Sequence, residues 1–268
     1  KAPLLLSGEQ TFNKNESCEY QDLEYPDDCI VDFDMRLIDL FKEIDKKKLT
    51  LKMQIRQEYY RVKELLDGKR PSRMDLFTYM DDEIYRICVS GSHAKENPFQ
   101  QYLDFLYELG ELSEDEQKLY AGIGREFIQT IETTEMQKVY KMPILYSFYN
   151  HGNIRLAVTD EEVLESWKEF FDTGTNWKDF PNVNTYEDYK KVTDKQHLSK
   201  AKRMPIRFLK ASGKGFFVEK DGYALALRDE IGDVVGNMAF GEQMGDVLGY
   251  RSLEYYRRRY KKNRSEGD

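Results

Sequence analysis

The stretch KKVTDKQHLSKAKRMPIRFLKASGKGFFVEKDGYALAL, Lys190–Leu227, decides how the chain is read. Its first part has helical character and is expected to break at Pro205, because a proline ring removes a backbone donor and clashes with the preceding turn. After Gly213, two short runs rich in β-formers flank Asp221-Gly222, the pairing that favours a tight hairpin turn. A helix giving way to a hairpin predicts a mainly α fold: a helical bundle followed by a second helical subdomain carrying a small β-hairpin. Between residues 190 and 214, Lys190, Lys191, Lys195, Lys200, Lys202, Arg203, Arg207, Lys210 and Lys214 face a single acid, Asp194. Such a run is either the solvated face of a surface helix or a contact surface for an acidic partner.

That basic stretch opposes the charge of the whole. Across 268 residues the net charge is -8, with 34% charged and 40% hydrophobic residues. An acidic chain cannot coat nucleic acid over its entire surface, although a local basic face remains able to grip phosphates. The 19 Tyr and 15 Phe suit a globular chain with large rings in its core. Cys18, Cys29 and Cys88 show no CxxC spacing, which supports neither a disulfide framework nor a zinc site and suits a cytoplasmic setting. No apolar run approaches the roughly 20 residues of a membrane span, so no membrane partner is expected. The chain opens on Lys1 without Met, and Leu4–Leu6 reads as a buried strand lacking its neighbours. It is therefore read as a piece of a longer protein.

Moving outward, residues 1–33 offer two short strands, near Leu4–Leu6 and Cys29–Phe33, too few for a domain. From Asp34 the stripe Leu37, Ile38, Phe41, Ile44 predicts a helix, and Leu51, Ile55, Tyr59, Val62, Leu66 predict a second that stops at Gly68. The segment GKRPSRMDLFTYM (residues 68–80) is similar to short helices of helicase-associated and helix-turn-helix modules, although its favoured reading is an ordinary helix start with Ser72 as cap and Asp75 near it. Further helices follow Asn97-Pro98 up to Gly110 and Ser113 with its Glu116 box, and helical periodicity runs from Glu126 to Tyr140. Residues 34–135 are thus expected to form one helical subdomain and residues 136–268 a second. In the latter, a densely apolar helix after Pro143 precedes a turn at 150–153 and a strand from Ile154 to Val158. Thr159 and Asp160 then cap a helix closed by Gly174, Thr185 starts the basic helix, and SLEYYRRRYKK is a terminal helix following a glycine-rich loop.

Chemistry-bearing motifs are sparse. Ser212-Gly213-Lys214-Gly215 lacks the upstream glycine and following hydroxyl of a phosphate-binding loop and reads as a loop before the hairpin. His93, His151 and His197 have no second ligand at metal-binding spacing. The acid pairs Asp81/Asp82 and Glu161/Glu162 lie at helix starts, where the macrodipole accounts for them. Tyr255, Tyr256 and Tyr260 alternate with Arg257, Arg258 and Arg259, a mixture that either stacks on bases or docks the helix while the arginines stay wet. No catalytic or metal-binding residue is assigned.

Several segments carry a family resemblance: Pro3–Glu16 (PLLLSGEQTFNKNE), Met142–Phe180 (MPILYSFYNHGNIRLAVTDEEVLESWKEFFDTGTNWKDF), Asp194–Leu227, and Tyr250–Lys262 (YRSLEYYRRRYKK). Together they resemble the C-terminal accessory region of bacterial DEAD/DEAH-type superfamily 2 helicases, most strongly over residues 136–262. The resemblance implies that residues 1–33 are the tail of a RecA-like domain and that the remainder of the helicase polypeptide is a partner. It places the ATP- and Mg-dependent hydrolase motifs upstream of Lys1, with no cofactor in this chain. The expected function is that of an accessory domain whose basic face contacts DNA phosphates through Lys200, Lys202, Arg203, Arg207, Lys210 and Lys214, with Arg257 and Arg258 second. The alternative is a protein-interaction module that docks the helicase core or another subunit without touching nucleic acid. A cryptic nuclease, which needs converging carboxylates and a divalent metal, ranks third.

Overall fold

Thr50 sets the first described helix: its side chain accepts the Met53 N–H, and Ile55, Tyr59 and Val62 of the helix α1 (Leu51–Leu65) follow as a buried stripe. The computed structural model describes residues 49–265, with side chains to residue 260. The strands and helix expected before residue 49 lie outside the described residues. Local signals then build most of the architecture. Capping boxes start α2 (Arg73–Tyr79) at Ser72/Asp75, α5 (Glu114–Tyr120) at Ser113/Glu116 and α8 (Asp160–Asp172) at Thr159/Glu162. Between them run α3 (Asp82–Cys88), α4 (Tyr102–Leu109), α6 (Ile123–Thr133) and α7 (Lys141–Tyr149). The helical periodicity expected up to Tyr140 stops at Thr133. There Thr134 turns extended, and its carbonyl accepts from Arg251 while its hydroxyl accepts from Lys141.

Helix α7 is buried on nearly every side, which explains the density of apolar residues in its sequence. After a left-handed turn at Asn150, His151 and Gly152, the chain enters strand β1 (Ala157–Val158). Strands β2 (Phe217–Val218) and β3 (Leu225–Leu227) form the expected hairpin, with Phe217 opposite Leu227 and Val218 opposite Ala226. Its turn is wider than a two-residue link. Tyr223 N–H donates to the Lys220 carbonyl, with Gly222 at φ +81° inside the turn. Antiparallel β1 pairs with β3 through Ala157–Ala226 and Val158–Leu225, giving the order β1-β3-β2. The protein is mainly helical with one small three-stranded antiparallel sheet.

Two parts of the sequence reading change. The basic segment is not one helix broken at Pro205. It comprises α9 (Tyr186–Lys190), α10 (Asp194–Ala201) capped by Thr193 and Gln196, a π-helical turn over Lys202–Ile206, and α11 (Arg207–Ser212). Widening the helix by one residue per turn lets Pro205 sit inside it, so the axis continues where a regular α-helix would be interrupted. Beyond the short α12 (Gly232–Val235), the terminal helix α13 begins at Met238 and runs 28 residues to Ser265. Gly241, Gly245 and Gly249 therefore lie inside a helix, not in a loop. Their spacing puts them on one face, where α13 meets its neighbours closely: a Cβ on Gly245 would lie 2.5 Å from the Tyr149 hydroxyl.

The described residues form one compact unit. A smaller hydrophobic cluster gathers Tyr59, Leu76, Tyr85, Phe99 and Tyr102, and a larger one gathers Phe127, Phe148, Trp167, Phe217 and Leu227. Helix α13 serves both, giving Tyr250 to the first and Phe240, Met244, Val247 and Leu248 to the second.

Candidate nucleic-acid interface

The i, i+4 spacing of Lys195, Ser199 and Arg203 places them along one stripe of the α10 helix and the π-turn that prolongs it. With Lys191, Gln196 and Lys200, this stripe forms one wall of a groove of about 710 Å³. The opposite wall is the loop Phe180, Pro181, Asn182 and Val183. Phe180 is anchored against Tyr189 and His197, at ring separations of 5.8 and 4.9 Å. That packing holds the loop at a fixed distance from the helix.

The groove is electropositive. It carries Lys191, Lys195, Lys200 and Arg203 against one carboxylate, Asp188, which Lys191 already meets at 3.3 Å. Asp194, the lone acid of the basic run, pairs instead with Lys168 of α8 at 2.9 Å. Among the described residues, no carboxylate lies within ion-pair distance of Lys195, Lys200 or Arg203. Lys200 stands 5.0 Å above the Tyr140 ring, and burial followed by repulsion from Arg203 and Lys138 lowers its pKa. A cation crowded by like charges is stabilised by any anion that enters beside it.

The residues singled out in sequence separate into two sets. Lys200 and Arg203 line the groove. Arg207 rests over the Phe208 ring at 5.1 Å, and Lys214 is an exposed residue at φ +50° beside a different cavity. Neither has an ion-pair partner among the described residues. Lys202 is tied to Asp160 at 2.6 Å, and Lys210 pairs with Glu219 across the start of the hairpin. Arg257 pairs with Asp82 and covers the Phe77 and Tyr85 rings, while Arg258 meets Glu254 at 2.5 Å. Tyr255 is buried and donates to Asp179 at 2.9 Å, so the Tyr-Arg end of α13 docks against the fold. Lys191 and Lys195 belong to the groove although they were not selected from sequence. The i, i+4 stripe through Lys195 was the signal that separates them from Lys202 and Lys210.

Gly213, in the loop that superficially suggested a phosphate cradle, has a packing role. A Cβ there would meet the Phe217 ring at 2.3 Å and the Leu209 carbonyl at 2.5 Å. Among the described residues, no cluster of His, Cys, Asp or Glu is placed to hold a metal ion, and no helix is long and apolar enough to cross a membrane. The chain matches no protein-family model, no curated protein and no solved structure.

Proposed function

We propose that residues 49–265 act as an accessory nucleic-acid-binding domain, holding the phosphate backbone of DNA along the groove between the Phe180–Val183 loop and the Lys195–Arg203 stripe. One observation carries this reading: four cations line the groove and its single carboxylate is already engaged. A groove lined by three ammonium groups and one guanidinium can neutralise successive phosphates without reading bases. The resemblance of several segments to the accessory region of superfamily 2 helicases supports placing the domain beside an ATP-dependent motor. In that arrangement ATP and Mg serve the motor, and this domain guides the strand.

The test is fluorescence anisotropy with single-stranded, duplex and forked DNA across a salt series. Micromolar or tighter binding that weakens steeply with salt is the expected result, and absence of binding at low salt overturns it. A second reading has its own support: Lys202, Lys210, Arg257 and Arg258 are each occupied by a carboxylate of the same fold. A protein-interaction module docking the helicase core would leave its cations neutralised in this way. Absence of DNA binding would favour it.

A further inference from the structure

Beside the groove, and sharing none of its lining residues, the end of α6, the start of α7, the π-turn and α11 enclose a cavity of about 440 Å³. Its lining combines apolar surface from Tyr140, Met204, Pro205 and Phe208 with a buried cation, Lys141. Lys141 is only 9% exposed, and no carboxylate lies within ion-pair distance of it among the described residues. Its ammonium donates to the Thr134 hydroxyl at 2.9 Å and the Ser212 hydroxyl at 3.4 Å. An ammonium carries three N–H bonds, so one donor is left over. The Ser212 hydroxyl spends its proton on the Phe208 carbonyl at 2.7 Å, whereas the Thr134 hydroxyl has no acceptor for its proton among the described residues. Two unused donors, one on Lys141 and one on Thr134, therefore stand 2.9 Å apart beside an apolar wall.

A buried ammonium without a counter-charge is costly, and burial accordingly lowers the Lys141 pKa, with Arg251 adding to it and Glu135 opposing. Two further features fall on the same cavity. Its helical wall is the π-turn, a distortion concentrated at functional sites, and Lys214 at its edge holds a left-handed backbone that non-glycine residues rarely adopt.

We propose that this cavity binds a small organic monoanion, a carboxylate carrying an aromatic or branched aliphatic body. The carboxylate oxygens accept from Lys141 and Thr134, and the body packs on Met204, Pro205 and Phe208. Two adjacent donors and one formal charge match a carboxylate better than a doubly charged phosphate. In the remaining lining Lys138 is shared with Asp179 at 3.9 Å, and the exposed Lys214 offsets Glu135, so the charge that draws an anion in is that of Lys141. The site does not depend on the nucleic-acid reading of the groove.

Titration calorimetry with benzoate, and with neutral benzyl alcohol as control, tests it. The wild-type protein is expected to bind benzoate saturably at one site and benzyl alcohol far more weakly. Losing the charged donor in Lys141→Met should weaken benzoate binding by at least about tenfold, and Thr134→Val by about threefold to tenfold. Lys118→Ala, at a surface ion pair with Asp115, should bind like wild type. Circular dichroism checks that each variant is folded, and Thr134→Val supplies the test should Lys141→Met fail to fold. The proposal is overturned if no saturable benzoate heat appears, if benzyl alcohol binds equally well, or if the folded variants bind benzoate as wild type does.

Discussion

Arg73 Nη2 lies 2.5 Å from Glu132 Oε1, and neither side chain reaches solvent. The same guanidinium donates to Gln243 at 2.7 Å and to Asp246 at 2.8 Å, and it lies over the Tyr102 ring at 4.4 Å. Glu132 also accepts the Tyr102 N–H. Burial opposes the charged guanidinium, yet Glu132 and Asp246 outweigh it and hold the Arg73 pKa above its ordinary value. This knot joins α2, α6 and α13, so it fixes the frame on which the rest is hung. Glu132→Gln is expected to cost about 3–5 kcal/mol in urea unfolding, because it leaves a buried cation short of charge. The double variant Arg73→Met/Glu132→Leu should cost clearly less than the sum of the single changes. Additive costs would mean that the pair is not coupled.

The glycines of α13 separate by what surrounds them. At Gly245 a Cβ would press on three atoms of the Tyr149 ring and hydroxyl, at 2.5 to 3.1 Å, whereas at Gly249 the nearest atom is the Met74 sulfur at 3.6 Å. Gly249→Ala should stabilise by about 0.5–1 kcal/mol through helix propensity alone. Gly245→Ala should destabilise by about 1–2 kcal/mol despite that gain, and the added change Tyr149→Leu should recover most of it. Thermal unfolding midpoints of the three variants decide the matter; equal shifts for the two alanines would refute the close packing.

These two sites also mark where the sequence was legible. Caps at Ser72, Ser113 and Thr159 could be read because a box of four residues contains both donor and acceptor. The hairpin after Gly213 was equally local. Arg73 and Asp246 are 173 residues apart, and no local pattern announces that an arginine next to a helix cap will be buried against them. Pro205 and the three glycines of α13 misled for a related reason. As residues that disfavour an isolated helix they were read as boundaries, yet a π-turn accommodates the proline and close packing requires at least Gly245. The candidate groove was half visible: the charge run was plain, but which of its cations would find carboxylates depended on Asp160 and Glu219, placed by the tertiary fold.

Acid should weaken the fold in two steps. His197 is buried between Phe180 and Tyr189, its Nδ1 without a partner among the described residues. Burial, with Lys168 nearby, lowers its pKa below the ordinary 6.5. The unfolded chain therefore takes up a proton that the folded chain resists, and stability falls as pH drops through 6.5 toward the folded value. Glu116 has a lowered pKa as well: burial opposes it, but the bonds from Arg70, Ser113 and Gln243 prevail. Its contribution is present above 4.5 and is lost as pH falls through the folded value. Urea midpoints measured from about pH 7 to pH 3 should decline in both windows, and His197→Phe should flatten only the upper one. A midpoint that holds steady below pH 6.5 in the wild type would contradict the burial of a neutral imidazole.

If the groove holds a single strand, each engaged phosphate adds about -0.7 to the slope of log K against log salt, so the three groove cations without a carboxylate partner among the described residues, Lys195, Lys200 and Arg203, set a slope of about -2. Lys195→Ala/Arg203→Ala removes two of them and should bring the slope about 1 to 2 units closer to zero, weakening binding alike for all sequences. Lys202→Ala/Lys210→Ala removes two cations already paired with Asp160 and Glu219, so it should leave the slope nearly unchanged. The contrast between these pairs is the informative reading, because total charge falls equally in both. An equal loss from the two double variants would mean that binding follows net charge and not the groove. Anisotropy titrations of the wild type and the two double variants at several salt concentrations measure the slopes directly.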